Sequence, residues 1–139
     1  MRTDPSIDIR RTVRRAADLP YTAIAKHVLG TGYELSLVLC GDALARRMYL
    51  AHRKRRVAGE PDRGASYASN VLSYPYGADA GEIFLNVRKA EREARAAGIS
   101  AKRRTALLLV HGLFHLKGYD HGATMERLER DTLRKFSLL

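Results

Sequence analysis

The chain contains one cysteine, no tryptophan and no long apolar run. The single cysteine, Cys40, excludes an internal disulfide. No stretch approaches the ~20 consecutive apolar residues that cross a bilayer, which excludes a membrane-spanning class. The N-terminal stretch MRTDPSIDIRRTVRR is charged where a secretory signal would be apolar. These features lead us to expect a cytoplasmic protein without a membrane partner.

Acidic residues are scarce relative to basic ones. Fifteen Asp and Glu stand against twenty-five Lys and Arg, which gives a net charge of +10 at pH 7. Such an excess attracts polyanions and favours their binding through counterion release, so nucleic acid is the first partner to consider. The cations form short clusters, each of which is also typical of a solvated helix face: within residues 10–15, 46–47, 53–56, 102–104 and 134–135.

The size and patterning of the chain predict one domain over residues 1–139. Alternating or β-rich apolar stretches predict four strands, of which the last two form a hairpin: 6–10, 33–41, 69–75 and 81–86. Helical spacing and capping residues predict five helices: 11–29 with a kink at Pro20, 42–57, 86–97, 100–118 and 124 to the C-terminus.

Within these elements, the inner face of the second helix is predicted to be Leu44, Met48 and Ala51, and residues 58–68 are predicted to be a loop. Strands and helices do not alternate strictly. We therefore expect an α+β fold, with a small mixed β-sheet of about four strands covered by about five helices.

Three of the five histidines lie in the stretch HGLFHLKGYDH. His111 and His115 are one helical turn apart, so their imidazoles point to the same side of a helix. Gly118 suits the end of that helix, and the chain then returns to His121 from another direction. This arrangement predicts a metal site with three nitrogen ligands, as in catalytic zinc sites that keep a fourth position for water.

The residue after the first histidine argues against a peptidase. Zinc peptidases with the HExxH motif carry a glutamate there as general base, whereas this chain carries Gly112. A water on the metal would then be deprotonated by the metal's own field or by a base elsewhere in the chain, for which Glu82 and Asp120 are the candidates. Asp120 is also a candidate for orienting an imidazole by accepting a hydrogen bond from the ring nitrogen that does not bind the metal.

The same stretch resembles the signature HGxLHLxGYDH of the YbeY family, bacterial zinc-dependent endoribonucleases that mature ribosomal RNA. Residues 63–75, RGASYASNVLSYP, resemble a second family segment that ends in PT(D/N)VLSFP, and residues 81–83 resemble the family's GDI strand. The resemblance extends from about residue 33 onward. Departures from the family pattern are mild: Ser69 replaces threonine, Tyr74 phenylalanine and Glu82 aspartate.

The resemblance implies specific roles for individual residues. His111, His115 and His121 would bind one Zn²⁺ ion, and the family's functional arginine falls on Arg63 in an ungapped alignment. Arg53 competes for that role, because it follows the preceding helix as the family's arginine does. Residues 53–62 look longer than the corresponding family loop, which leaves open how RNA reaches the metal.

Two functions follow as alternatives. In the first, the chain is a single-strand-specific, metal-dependent endoribonuclease that processes ribosomal RNA, with a zinc-activated water and Arg63 on the scissile phosphate; the small ribosomal subunit is the expected partner. In the second, zinc only stabilises a non-catalytic ribosome assembly or RNA-binding factor. The ligand in the fourth metal position would distinguish the two.

Overall fold

The structure is a computed structural model that describes residues 5–53 and 62–139. Its elements follow one another as β1 (Ser6–Arg11), α1 (Tyr21–Leu29), β2 (Glu34–Cys40), α2 (Asp42–His52), β3 (Val71–Pro75), β4 (Ala80–Asn86), α3 (Val87–Ala97), α4 (Ala101–Leu116) and α5 (Ala123–Lys135). The four strands form one sheet in the order β1-β2-β4-β3. β1, β2 and β4 run parallel, and β3 pairs antiparallel with β4. The predicted α+β fold, mixed sheet and hairpin are confirmed.

The two faces of the sheet contact different helices, because side chains alternate along each strand. Leu35, Leu37, Ile83 and Leu85 belong to the main core, which also contains the buried residues of α4. The alternate residues, such as Val38 and Phe84, form a smaller cluster that α2 covers through Leu44, Ala45 and Met48. Cys40 is fully buried in this second cluster.

The central helix of the fold is α4. The Ser100 side chain caps it by accepting a hydrogen bond from the Arg103 backbone N–H at 3.1 Å. The helix contacts β3, β4, α1, α3 and α5. Nine of its sixteen residues are buried, including most of the apolar stretch at 106–116. Burial on several sides fixes the position and rotation of α4, and hence of any side chain it presents.

The helix packs closely against the sheet at Gly112. A Cβ atom added there would lie 2.9 Å from Ser73 Oγ, 3.0 Å from Val71 Cγ2 and 3.4 Å from Ile83 Cδ1. Ser73 Oγ donates a hydrogen bond to the Gly112 carbonyl at 3.1 Å. The residue after His111 therefore faces the sheet at a point where only glycine fits without displacement.

The prediction of a helix over residues 11–29 is wrong for its first half. The Thr12 backbone N–H donates to the Leu39 carbonyl at 2.9 Å, residues 12–20 form neither helix nor strand, and α1 begins at Tyr21, directly after Pro20. Proline disfavours a helical residue before it, which separates the two halves. Val13 and Ala16 pack on the core all the same, so their spacing reports burial rather than a helix.

The helix predicted over residues 42–57 corresponds to α2, which is shorter. It ends at His52, and residues 54–61, which include Val57 and the start of the predicted 58–68 loop, lie outside the described residues. Residues 62–68 contain no helix or strand, as predicted. Leu44 and Met48 face inward as predicted, but Ala51 is exposed and Ala45 is the fully buried residue of α2. No helix of the described ranges is long and apolar enough to cross a membrane.

We predict that Gly112→Ala destabilises the protein. In most helix interiors, replacing glycine by alanine stabilises the protein by about 0.5–1 kcal/mol. At this position the added methyl group would push α4 off the sheet, so the free energy of unfolding should fall by about 1–3 kcal/mol, measured by urea denaturation. Val71→Ala, which removes one of the atoms in conflict, should be less destabilising in the Gly112→Ala background than in the wild type. A free energy of unfolding equal to or above that of the wild type would contradict the packing argument.

Candidate metal site

His111 and His115 present their imidazoles side by side on α4. Their ring centroids lie 4.5 Å apart, and the two Nε2 atoms lie 3.0 Å apart. Both side chains are half-buried. The pair follows directly from the spacing of one helical turn, because α4 is regular up to Leu116.

The third histidine is brought back by a Schellman turn at the end of α4. Gly118 adopts a left-handed conformation with φ +93°, its N–H donates to the His115 carbonyl at 2.9 Å, and the Tyr119 N–H donates to the Phe114 carbonyl at 3.1 Å. The Tyr119 and Phe114 rings meet edge to face at 5.6 Å, which is the apolar contact typical of this motif. The chain is thereby directed back over the face of α4 that carries the histidines.

His121 completes the group. Its ring centroid lies 4.9 Å from that of His111 and 4.8 Å from that of His115. One nitrogen from each of the three side chains can be chosen so that all lie within 4.8 Å of one another. His121 is exposed while the other two are half-buried, so the group opens to solvent on the side of His121. The three histidines that the sequence predicts as ligands converge in the structure.

The outer nitrogens of the two helical imidazoles are held by hydrogen bonds. His111 Nδ1–H donates to Glu129 Oε2 at 2.9 Å, and His115 Nδ1–H donates to the Tyr119 carbonyl at 3.1 Å. With these protons on Nδ1, both Nε2 atoms carry lone pairs that face each other at 3.0 Å. A shared cation relieves that repulsion, so the donor set fits a metal ion.

The protonation of His115 also suits metal binding. Burial, followed by the nearby His111 and His121 imidazoles, lowers the pKa of His115 below its ordinary value. The neutral imidazole is the form that binds a metal, and the lowered pKa favours it at neutral pH.

Comparison with known proteins shows the family of this chain. The model of the endoribonuclease YbeY family matches residues 4–137. The chain belongs to this family. It is 35% identical over 116 residues to an endoribonuclease YbeY of Methylocella silvestris, a match that covers 76% of this chain and 60% of the relative. It is 41% identical over 93 residues to that of Bordetella petrii, which covers 63% and 54%. The chain thus spans less than two thirds of the length of these two relatives.

Longer matches exist at lower identity. An endoribonuclease YbeY of Solibacter usitatus is 28% identical over 127 residues, covering 88% of this chain and 80% of the relative. The solution structure of a Thermotoga maritima protein superposes with a TM-score of 0.61 at 18% identity, covering 94% of this chain and 88% of that one. The second match supports the fold alone.

The two candidate bases lie in different places in this YbeY family member. Glu82 projects from β4 on the face opposite to that of Ile83, where it accepts hydrogen bonds from Ser36 Oγ at 3.4 Å and Tyr76 Oη at 2.9 Å. The sheet therefore separates Glu82 from α4 and its histidines. Asp120 is exposed beside His121. The carboxylate that orients an imidazole is that of Glu129 rather than Asp120.

Glu129 is the site residue that the sequence analysis missed. It lies on α5 and is only 8% exposed. The signal was present, because Met125, Glu129 and Thr132 lie on the buried face of α5 at helical spacing. An acidic residue on such a face is rarely buried without a partner. What the sequence does not give is the identity of that partner.

The two arginines also differ. Arg63 is exposed, with its guanidinium carbon 5.4 Å from the centroid of the Tyr67 ring. Arg53 follows α2 directly and forms a bidentate ion pair with Asp62, at 2.7 and 2.6 Å. The role of Arg63 stays a prediction.

We predict that Glu129→Gln weakens metal binding. The amide keeps the size of the side chain but removes the charge that supports His111, and a change of this kind typically lowers metal affinity about 10–100-fold. A titration with a competing chelator measures the affinity. Glu126→Gln, an exposed change of equal charge on the same helix, is the matched control. Equal affinities for the two variants would show that Glu129 does not support the ligand.

Proposed function

We propose that this chain is a single-domain, zinc-dependent endoribonuclease that cleaves single-stranded RNA and processes ribosomal RNA in the cytoplasm, with the small ribosomal subunit as partner. The observation that carries the proposal is the convergence of His111, His115 and His121. The family to which the chain belongs supports the same reaction class. Three imidazoles form a ligand set typical of catalytic Zn²⁺.

Each residue of the site has a definite task in this proposal. The three histidines bind the metal, Glu129 holds the proton on His111 Nδ1, and the Tyr119 carbonyl holds the proton on His115 Nδ1. When bound, the metal supplies Lewis-acid and water-activating chemistry. Gly112 packs on the sheet and leaves no room for the glutamate of a peptidase motif. Glu129 and the Tyr119 carbonyl therefore keep the metal-binding nitrogens of His111 and His115 oriented throughout the reaction.

Arg63 would bind the scissile phosphate. A guanidinium fork can donate two parallel hydrogen bonds to phosphate oxygens and stabilise the negative charge that develops there during cleavage. Its exposure leaves the side chain accessible to a large substrate. The net charge of +10 attracts the rest of the RNA backbone. Single-stranded RNA is the favoured substrate, because its flexible backbone can adapt to a protein surface more readily than a rigid duplex can.

Metal removal is the first test. We expect the purified chain, free of host nucleases, to cleave a labelled single-stranded oligoribonucleotide derived from ribosomal RNA, and to leave the same strand intact within a duplex. Chelation or His115→Ala should reduce cleavage to background, and added Zn²⁺ should restore it after chelation but not in the variant. Cleavage that survives both treatments would rule out the proposed site.

Removal of the arginine is the second test. Arg63→Ala should lower kcat by about 10²–10³-fold, the usual loss when a charge-stabilising donor is removed. Arg63→Lys should retain part of the rate, since it keeps the charge but loses the fork. Arg95→Ala, an exposed arginine on α3, is the control for net charge. Equal rates for Arg63→Ala and Arg95→Ala would remove Arg63 from the proposal.

A non-catalytic assembly factor is the second candidate function, and the same converging ligands support it. In that case the metal-loaded chain would bind small ribosomal subunits without cleaving RNA. A spectroscopic count of metal ligands in Co²⁺-substituted protein distinguishes the two. A solvent ligand that exchanges with added anions favours the enzyme, and a fourth protein ligand favours the assembly factor.

A further inference from the structure

The segment that carries Arg63 is held by contacts with the end of α2. The Arg63 backbone N–H donates to Tyr49 Oη at 2.9 Å, and the Gly64 N–H donates to Asp62 Oδ1 at 3.0 Å. The same Asp62 oxygen accepts from Arg53 Nε at 2.7 Å, and the other accepts from Arg53 Nη2 at 2.6 Å. Tyr49 thus holds the backbone of Arg63, and Arg53 holds Asp62, which in turn holds the backbone of Gly64.

The guanidinium groups of the two arginines have different surroundings. The fork of Arg53 is already engaged by both oxygens of Asp62. The Arg63 guanidinium lies against the Tyr67 ring, and among residues 5–53 and 62–139 it has no ion pair with a carboxylate. An aromatic face stabilises a cation without occupying its hydrogen-bond donors. Arg63 therefore keeps its donors for a phosphate, whereas Arg53 has committed two of its donors to Asp62.

Tyr67 is fixed in turn by its neighbours. The Tyr49 ring meets it edge to face at 5.1 Å, and Lys89 Nζ lies 4.4 Å from its centroid. Lys89 Nζ also donates to the Ala68 carbonyl at 2.6 Å. Tyr49 contributes twice, through its hydroxyl to the Arg63 backbone and through its ring to the surface beneath the guanidinium.

We propose that Arg53, Asp62 and Tyr49 are positioning residues that hold Arg63 for the phosphate, and that Arg53 itself does not contact RNA. This inference rests on the proposed function. The bidentate pair orders an exposed segment before the substrate arrives. A misplacement of about 1 Å in a group that acts on the reacting centre can lower a rate by about 10²-fold.

The chain offers a matched control for the ion pair. Arg92 on α3 forms a second bidentate pair, with Asp42 at 2.9 and 2.8 Å. Arg53→Gln and Arg92→Gln each break one such pair and remove one positive charge. We expect Arg53→Gln to lower kcat about 10-fold, within the range for a misplaced group, with KM equal to that of Arg92→Gln. Arg92→Gln should keep the wild-type kcat. An equal kcat for the two variants would overturn the proposal.

Asp62→Asn gives a test of opposite sign. It raises the net charge by one, whereas Arg53→Gln lowers it by one. If Arg53 contacted RNA, Asp62→Asn would weaken the competing ion pair, and the rate would stay the same or rise. If the pair positions Arg63, kcat should fall as it does in Arg53→Gln. A wild-type or higher kcat for Asp62→Asn overturns the positioning role.

A double-variant cycle identifies the residue through which Arg53 acts. In the Arg63→Ala background, Arg53→Gln should produce no further loss of kcat, because there is no longer a guanidinium to position. Losses that multiply would show that Arg53 acts independently of Arg63, which contradicts the inference. Equal melting temperatures and equal metal content exclude a general effect on folding.

Amide exchange tests the positioning without any activity. By NMR, the Arg63 amide should exchange faster in Tyr49→Phe, and the Arg63 and Gly64 amides faster in Arg53→Gln, relative to Arg92→Gln. Unchanged exchange in Arg53→Gln overturns the inference. If the wild type cleaves no RNA, or Arg63→Ala keeps full activity, the proposed role of Arg63 fails instead, and the exchange rates alone decide whether the pair holds this segment.

Discussion

The site depends on the close packing of α4 against the sheet at Gly112. The absence of a Cβ atom allows Ser73 and Val71 to approach the helix backbone, and this contact fixes the rotation of α4. Since His111 is the preceding residue, the same rotation directs its imidazole away from β3, toward Glu129 on α5. The packing thus decides at once where the ligands point and which helix supports them.

Around that helix, the site is assembled from contacts of different ranges. The pairing of His111 with His115 is internal to α4, and the return of the chain to His121 needs only the turn after Leu116. The support from Glu129 and the surroundings of Arg63 require elements that are distant in sequence. A local motif therefore supplies the ligands, and the tertiary fold supplies their orientation.

Features that depend only on neighbouring residues were predicted correctly from the sequence. The helical spacing of the histidines, the glycine that ends α4 and the hairpin of β3 and β4 were all predicted from neighbouring residues. Residues 12–20 were wrongly predicted to be helical, because their buried apolar residues happen to have helical spacing. Contacts with partners far along the chain were not predicted. Glu129 could be noticed as an acid on a buried face, but its pairing with His111 follows only from how α4 and α5 pack. The side of the sheet on which Glu82 lies likewise depends on which helix covers each face.

The Schellman turn has two structural tasks in one short segment. Gly118 and Tyr119 satisfy the last carbonyls of α4, and the Tyr119 carbonyl also holds the outer nitrogen of His115. An insertion or deletion between His115 and His121 would disturb both tasks together, whereas most surface loops tolerate changes in length. The five-residue interval between these histidines should therefore not tolerate a change in length. In sequences too divergent for overall alignment, that interval with its glycine should be a sharper marker of this site than the histidines themselves.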